Sequence, residues 1–191
     1  MTTHPQKLLR NQRLPYSVFL ALSSVFCIGS LCKTTFAEDH VIDFEMAEIG
    51  KPVESWENQG VRFELAHSPK KSTAKGRVTF FPHLGTGNKG IVNAMANEAI
   101  PIRISLADRA SKVTIKLWGS TTSSAYLEAF DVEGKSLGKQ ALDHVPVRKT
   151  PEEAIPFFEL TVEAKNIVSL EVGGSKPGGF LAIEELRWNK Q

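Results

Sequence analysis

From residue 41 onward the chain is a succession of short runs in which apolar and polar residues alternate. Ile42, Phe44 and Met46 alternate with Asp43 and Glu45, and Val61, Phe63 and Leu65 alternate with Arg62 and Glu64. The strictest run is 100–106, with Ile100, Ile102, Ile104 and Leu106 in phase; 112–119 follows with Val113, Ile115 and Leu117 on one face and Trp118 on the other. A period of two is the mark of a strand with one buried face. Further runs at 77–81, 124–130, 136–142, 157–162, 167–172 and 180–188 bring the expectation to about nine or ten short strands. Glycine and proline punctuate them: Gly50 and Pro52, Pro82, Gly134, then Pro146, Pro151 and Pro156 in a connection at 143–156. The stretch 93–100 is the one short candidate for a helix. Such a pattern predicts one all-β domain, an antiparallel β-sandwich, over residues 38–191.

The first residues follow another logic. Lys7, Arg10 and Arg13 precede an apolar run at 16–31, and Thr35-Phe36-Ala37 offers small residues where a signal peptidase cuts. This three-part layout predicts a secretory signal, residues 1–37, removed after Ala37. A membrane anchor is the competing reading, but the run falls short of the ~20 residues that span a bilayer, so no span is expected after cleavage. Phe26 and Leu31 stand before Cys27 and Cys32 where a lipobox needs a small residue, so both cysteines leave with the signal. The remainder is then a cysteine-free domain of a secreted or periplasmic protein, stable by its core alone. Cleavage removes four of the 23 basic residues and none of the 21 acids, turning a net charge of +2 into −2. With no basic surplus and no Lys/Arg stripe, nucleic acid is not an expected partner.

The most polar and loop-like stretch is 80–97, with three glycines, His83, Asn88, Asn93 and Asn97. Gly85-Thr86-Gly87-Asn88-Lys89-Gly90 spells G-x-G-x-x-G, which in dinucleotide-binding folds brings backbone amides to a pyrophosphate at a helix N-terminus. Here the residues after Gly90 are β-prone and no β-α-β unit surrounds the motif, so no nucleotide is expected. Two readings stay open: a Gly-rich structural turn, or a ligand loop whose His83, Asn88, Asn93 and Asn97 pair with sugar hydroxyls. Trp56 and Trp118 either pack in the core or offer a platform to a pyranose ring. In the closing run, a regular strand would put Glu184 on the same face as Ala182, Leu186 and Trp188; a bulge would turn it outward.

The frame of Ile42-Asp43-Phe44-Glu45, Lys-Val-Thr-Ile-Lys-Leu-Trp at 112–118, Leu-Glu-Ala-Phe-Asp-Val-Glu-Gly-Lys at 127–135 and Gly-Phe-Leu-Ala-Ile-Glu-Glu-Leu at 179–186 resembles the galactose-binding-like jelly rolls. These recur in secreted bacterial proteins, among them carbohydrate-binding modules. The resemblance implies a jelly-roll sandwich and a polysaccharide or envelope glycan as partner. It also implies a structural Ca²⁺ held by Glu45 or Glu48 with Glu184 or Glu185, since hard oxygen ligands suit that ion.

No cysteine nucleophile, G-x-S-x-G or H-E-x-x-H is present, and His40, His67, His83 and His144 lack metal-ligand spacing. Paired carboxylates for glycoside hydrolysis leave no linear signature, because only their spatial separation identifies them. The expected function is therefore non-catalytic, with no cofactor required: a glycan-binding module first, a structural or protein-interaction module of the envelope second, a small polysaccharide-degrading enzyme third.

Overall fold

The computed structural model describes residues 39–70, 76–95, 98–119, 124–174 and 181–191. The leader read in residues 1–37 and the candidate Asn97 lie outside them. Among the described residues ten strands form: β1 Asp39–Asp43, β2 Ser55–Asn58, β3 Val61–Leu65, β4 Val78–Pro82, β5 Lys89–Asn93, β6 Ile102–Gly119, β7 Ala125–Phe130, β8 Ser136–Leu142, β9 Phe157–Gly173 and β10 Leu181–Lys190. All belong to one compact unit, Phe36–Gln191. Every pairing is antiparallel. Among the described residues no helix is long and apolar enough to cross a membrane.

Two strands are far longer than the sequence pattern suggests. The runs 100–106 and 112–119 are one strand of 18 residues, β6, and 157–162 and 167–172 are one strand of 17 residues, β9. Alternation fails at 106–111, and pattern alone cannot tell a bend from a break. The register between β6 and β9 slips at this point, between Ser105 and Ala110 and again before Lys112. Bulges of this kind bend a strand and raise its twist. Each long strand thereby passes from one layer to the other.

The front layer runs β4-β5-β10, then the second half of β6 (112–118) and the first half of β9 (157–163), with β1 beside β10. The back layer runs β2-β3, the first half of β6, the second half of β9, β7 and β8. The result is an antiparallel β-sandwich. Fully buried Ile104, Ile115, Leu117, Leu127, Leu160 and Leu170 fill it from both sides. Four aromatic rings close the gap at one end. Phe44 and Phe80 of the front layer meet Trp56 and Phe63 of the back, with Phe44–Phe63 centroids 5.3 Å apart and Trp56–Phe80 centroids 5.5 Å apart.

β2 had no legible pattern. It exists because Gln59 and Gly60, at φ 51° and 75°, make the two-residue turn whose twist suits a hairpin, pairing Asn58 with Val61. The described residues of the helix candidate at 93–100, namely 93–95 and 98–100, are not helical, and a side chain ties them together. Asn93 Nδ2 donates to the carbonyls of Glu98 (2.9 Å) and Ile100 (3.0 Å), and its Oδ1 accepts the Met95 N–H (2.7 Å).

On the outer face of the back layer, Tyr126 lies against Gly173, where an added Cβ would stand 3.0 Å from the ring. Lys139 Nζ sits 4.0 Å from the ring centroid. Burial pushes the phenol above its ordinary value of 10.0, and the charges of Glu171 and Glu128 push it further. A raised value means that the folded state holds the proton more tightly. The stabilisation is therefore complete below the unfolded tyrosine pKa and is lost as pH rises through the folded one. Difference titration at 295 nm between wild type and Tyr126→Phe should give a midpoint above 10.0, falling back to about 10 in urea. A native midpoint at or below that value would contradict this packing.

Candidate functional site

The Gly-rich motif is the turn of a hairpin. β4 ends at Pro82, β5 begins at Lys89, and the connection closes when His83 N–H donates to Asn88 O (2.6 Å) and Gly87 N–H to His83 O (3.0 Å). Gly85 and Gly87 take φ of 118° and 81°, values that side chains disfavour. Gly85 also admits the connection 143–156: a Cβ there would lie 2.5 Å from the Cβ of Ala154. Gly90 lets β5 pack on its neighbours, since its Cβ would meet Ala182 Cβ at 2.9 Å and Trp118 Nε1 at 3.0 Å. A strand, not a helix, follows Gly90, so the amides lack the helix N-terminus of a phosphate cradle.

His83 lies inside this arrangement, 2% exposed. Its Nε2–H donates to Ile155 O at 2.8 Å, and its Nδ1 accepts from Thr86 N–H at 3.3 Å and the Thr86 hydroxyl at 3.0 Å. A carbonyl on one nitrogen and a backbone N–H on the other set the tautomer with the proton on Nε2. The ring stacks on Phe157 at 4.3 Å and meets Trp118 edge-on at 5.0 Å. Beneath it Val92, Trp118, Ile155 and Ala182 form a second apolar cluster, on the outer side of the front layer. The connection 143–156 thus ends as a strap over one end of that face.

Glu184 follows from a break in β10. Ile183 pairs with Leu117 and Glu185 with Lys116, leaving Glu184 as the extra residue of a bulge. The bulge resets the alternation. Ile183, Leu186 and Trp188 face the core, while Ala182, Glu184, Glu185 and Arg187 face outward, which is the outward of the two solutions read in the sequence. The carboxylate remains only 6% exposed. Asn88 Nδ2 donates to its Oε1 at 2.5 Å, and Lys116 Nζ lies 2.9 Å from Oε2 as an ion pair without hydrogen-bond alignment. The same ammonium stands 4.2 Å from the centre of the Phe157 ring, a favourable cation–π distance.

The expected ligand groups therefore part company. His83, Asn88 and Trp118 come together, around a buried carboxylate and a strap rather than an open groove. Asn93 spends its amide on neighbouring backbone, and Trp56 packs among Phe44, Phe63 and Phe80. Of the glutamates implied as calcium ligands, Glu184 is paired with Lys116, Glu185 with Arg187 (2.5 Å) and Glu48 with Lys51 (2.9 Å). Glu45 is exposed, and its carbonyl receives the Lys89 ammonium. Among the described residues no group of three or more His, Cys, Asp or Glu side chains is placed to hold a metal ion.

Beyond the strap the outer face is open and polar. A cleft of about 210 Å³ lies where β1, β6 and β10 meet, lined by Asp39, Lys112, Thr114, Arg187, Trp188 and Asn189. Asn189 Oδ1 accepts from Ser111 N–H (3.2 Å), Ser111 O–H (2.9 Å) and Lys112 N–H (2.7 Å), which locks the amide and leaves its Nδ2 as a donor. Thr114 and Thr161 share a hydroxyl contact at 2.9 Å. Lys112 pairs with Glu163 at 2.8 Å, and the hydrogen bond and charge of Glu163, with Asp39 adding, raise the lysine above its ordinary range. Arg187 is gripped by Glu159 and Glu185. Sequence reading missed this site. Lys112 and Thr114 were visible as the polar partners of Val113 and Ile115, and Arg187 and Asn189 as those of Leu186 and Trp188, but not that β1 and β6 flank β10.

No protein-family model matches this chain, and no curated protein matches it. Among solved structures it is similar to the cleaved adhesin domain of Lys-gingipain from Porphyromonas gingivalis, at 11% identity and TM-score 0.42, over 81% of this chain and 99% of that one. A carbohydrate-binding module of Clostridium stercorarium in complex with cellobiose is similar at 11% identity and TM-score 0.39, over 80% and 94% of the two chains. Another, from the lichenase 5A of Cellvibrio mixtus in complex with cellotriose, gives 13% identity and TM-score 0.28, over 80% and 97%. These similarities carry over no family, ligand or residue; the antiparallel β-sandwich rests on the strand pairings of this chain itself.

Removing the ammonium that faces Glu184 leaves a buried carboxylate with one amide for company. Lys116→Met should lower stability in urea by about 2–3 kcal/mol, and adding Glu184→Gln should restore much of it, since a neutral amide needs no counter-charge. An unchanged Lys116→Met protein would show that the pair contributes nothing.

Proposed function

We propose that this chain is a non-catalytic β-sandwich module, exported by its leader, that binds a saccharide of the cell envelope or its surroundings on the open end of its front layer. The observation that carries the reading is the cleft between β1, β6 and β10. It combines a locked amide donor on Asn189, an exposed carboxylate on Asp39, a hydroxyl pair and two anchored cations. Sugar hydroxyls both donate and accept, and a site holding both kinds of group at fixed positions suits them. Rigid placement also limits the side-chain entropy lost on binding. The reading needs no cofactor. The Gly-rich turn and the strap serve as its scaffold.

Affinity electrophoresis against neutral, amino-bearing and acidic polysaccharides tests the reading. Asp39→Ala and Thr114→Ala should each weaken binding about fivefold, the loss of roughly one hydrogen bond, and Asp39→Ala should do so without lowering the melting temperature. Asn93→Ala should lower the melting temperature and leave affinity intact. Absence of retention on every polysaccharide would overturn the proposal.

A further inference from the structure

The cleft is uneven in charge. Glu159, Glu163 and Glu185 stand against Lys112 and Arg187, and every one of those cations is already engaged: Lys112 with Glu163, Arg187 with Glu159 and Glu185. Asp39 lines the same cleft, exposed and close enough to act on the Lys112 charge. Asp39 and Glu163 therefore face Lys112, and Glu159 and Glu185 face Arg187, while Lys116, in register with Glu159 and Glu185, is engaged by Glu184. Asp39 and Glu163 both act on Lys112, so a ligand at that end of the cleft meets two carboxylates against one ammonium.

We propose that this cleft selects its saccharide by charge, favouring sugars that carry an ammonium group and turning away those that carry carboxylate, sulfate or phosphate. The inference rests on the saccharide reading above and adds the class of sugar. An anionic sugar could reach Lys112 or Arg187 only beside a glutamate already paired with that cation, so each attraction it gained would be offset by a like-charge repulsion. A sugar ammonium meets the opposite situation. It can approach Asp39 without breaking an existing pair, and it reduces the local surplus. Asn189 Nδ2 and the Thr114 hydroxyl then remain for the ring hydroxyls, which every class of sugar offers. Affinity for sugars as such and preference among them thus come from different groups.

Isothermal titration of the purified protein with three tetrasaccharides separates these contributions: one of glucosamine, one of N-acetylglucosamine, one of galacturonic acid. At low salt the glucosamine tetramer should bind about tenfold more tightly than the galacturonic acid tetramer, with the acetylated one between them and the spread narrowing as salt is added. Asp39→Asn should keep measurable binding and shrink the spread. The charge inference is overturned if the galacturonic acid tetramer binds as tightly as the glucosamine tetramer, or if Asp39→Asn leaves the spread untouched. Failure of all three to bind would instead sink the saccharide reading, and this inference with it.

Discussion

The extra residue in β10 decides what the front layer shows to solvent. A strand has a period of two, so one inserted residue exchanges the faces of everything beyond it. Without the bulge at Glu184, either Ala182 or the pair Leu186 and Trp188 would lie on the wrong side of the sheet. With it, Ile183, Leu186 and Trp188 all reach the core, and the outward positions divide into two sets. Ala182 joins Trp118 and Val92 under the strap; Glu185 and Arg187 continue into the open polar end. Glu184 stands at the boundary, its charge balanced by Lys116 and its oxygen satisfied by Asn88.

The Gly-rich turn exists to serve that division. Its glycines allow left-handed backbone and a close approach to Ala154, and its histidine binds the strap through Ile155 O. Asn88, which closes the turn through its carbonyl, delivers its side chain to Glu184. Loops are the usual home of binding residues, yet this one has used its polar groups internally. A buried polar group is tolerated where it is hydrogen-bonded or charge-paired: His83 is hydrogen-bonded at both ring nitrogens, and Glu184 is hydrogen-bonded at Oε1 and charge-paired at Oε2.

Much of the architecture was legible because alternation is a direct imprint of burial. Val61, Phe63 and Leu65, or Val113, Ile115 and Leu117, are fully or nearly buried as their phase demands. The length of β6 and β9 was not legible, since the residues at their corner neither alternate nor carry a breaker. β2 was hidden because its pairing comes from the Gln59–Gly60 turn and not from its own residues. At the site, the chemistry of His83, Asn88 and Asn93 was visible but not the direction of their bonds. Glu184 announced an anomaly without saying which of two packings resolves it. The cleft was out of reach, because Asp39, Thr114 and Asn189 come from three strands that only the sheet order brings together.

The claim that binding belongs to the open polar end, with the Gly-rich turn as scaffold, is tested most directly by amide chemical-shift mapping of the ¹⁵N-labelled protein. On titration with the glucosamine tetrasaccharide, the account predicts shifts at the amides of Asp39, Lys112, Thr114 and Asn189 and still signals from His83 to Asn93. Shifts centred on His83, Asn88 and Asn93, with the cleft unmoved, would contradict it.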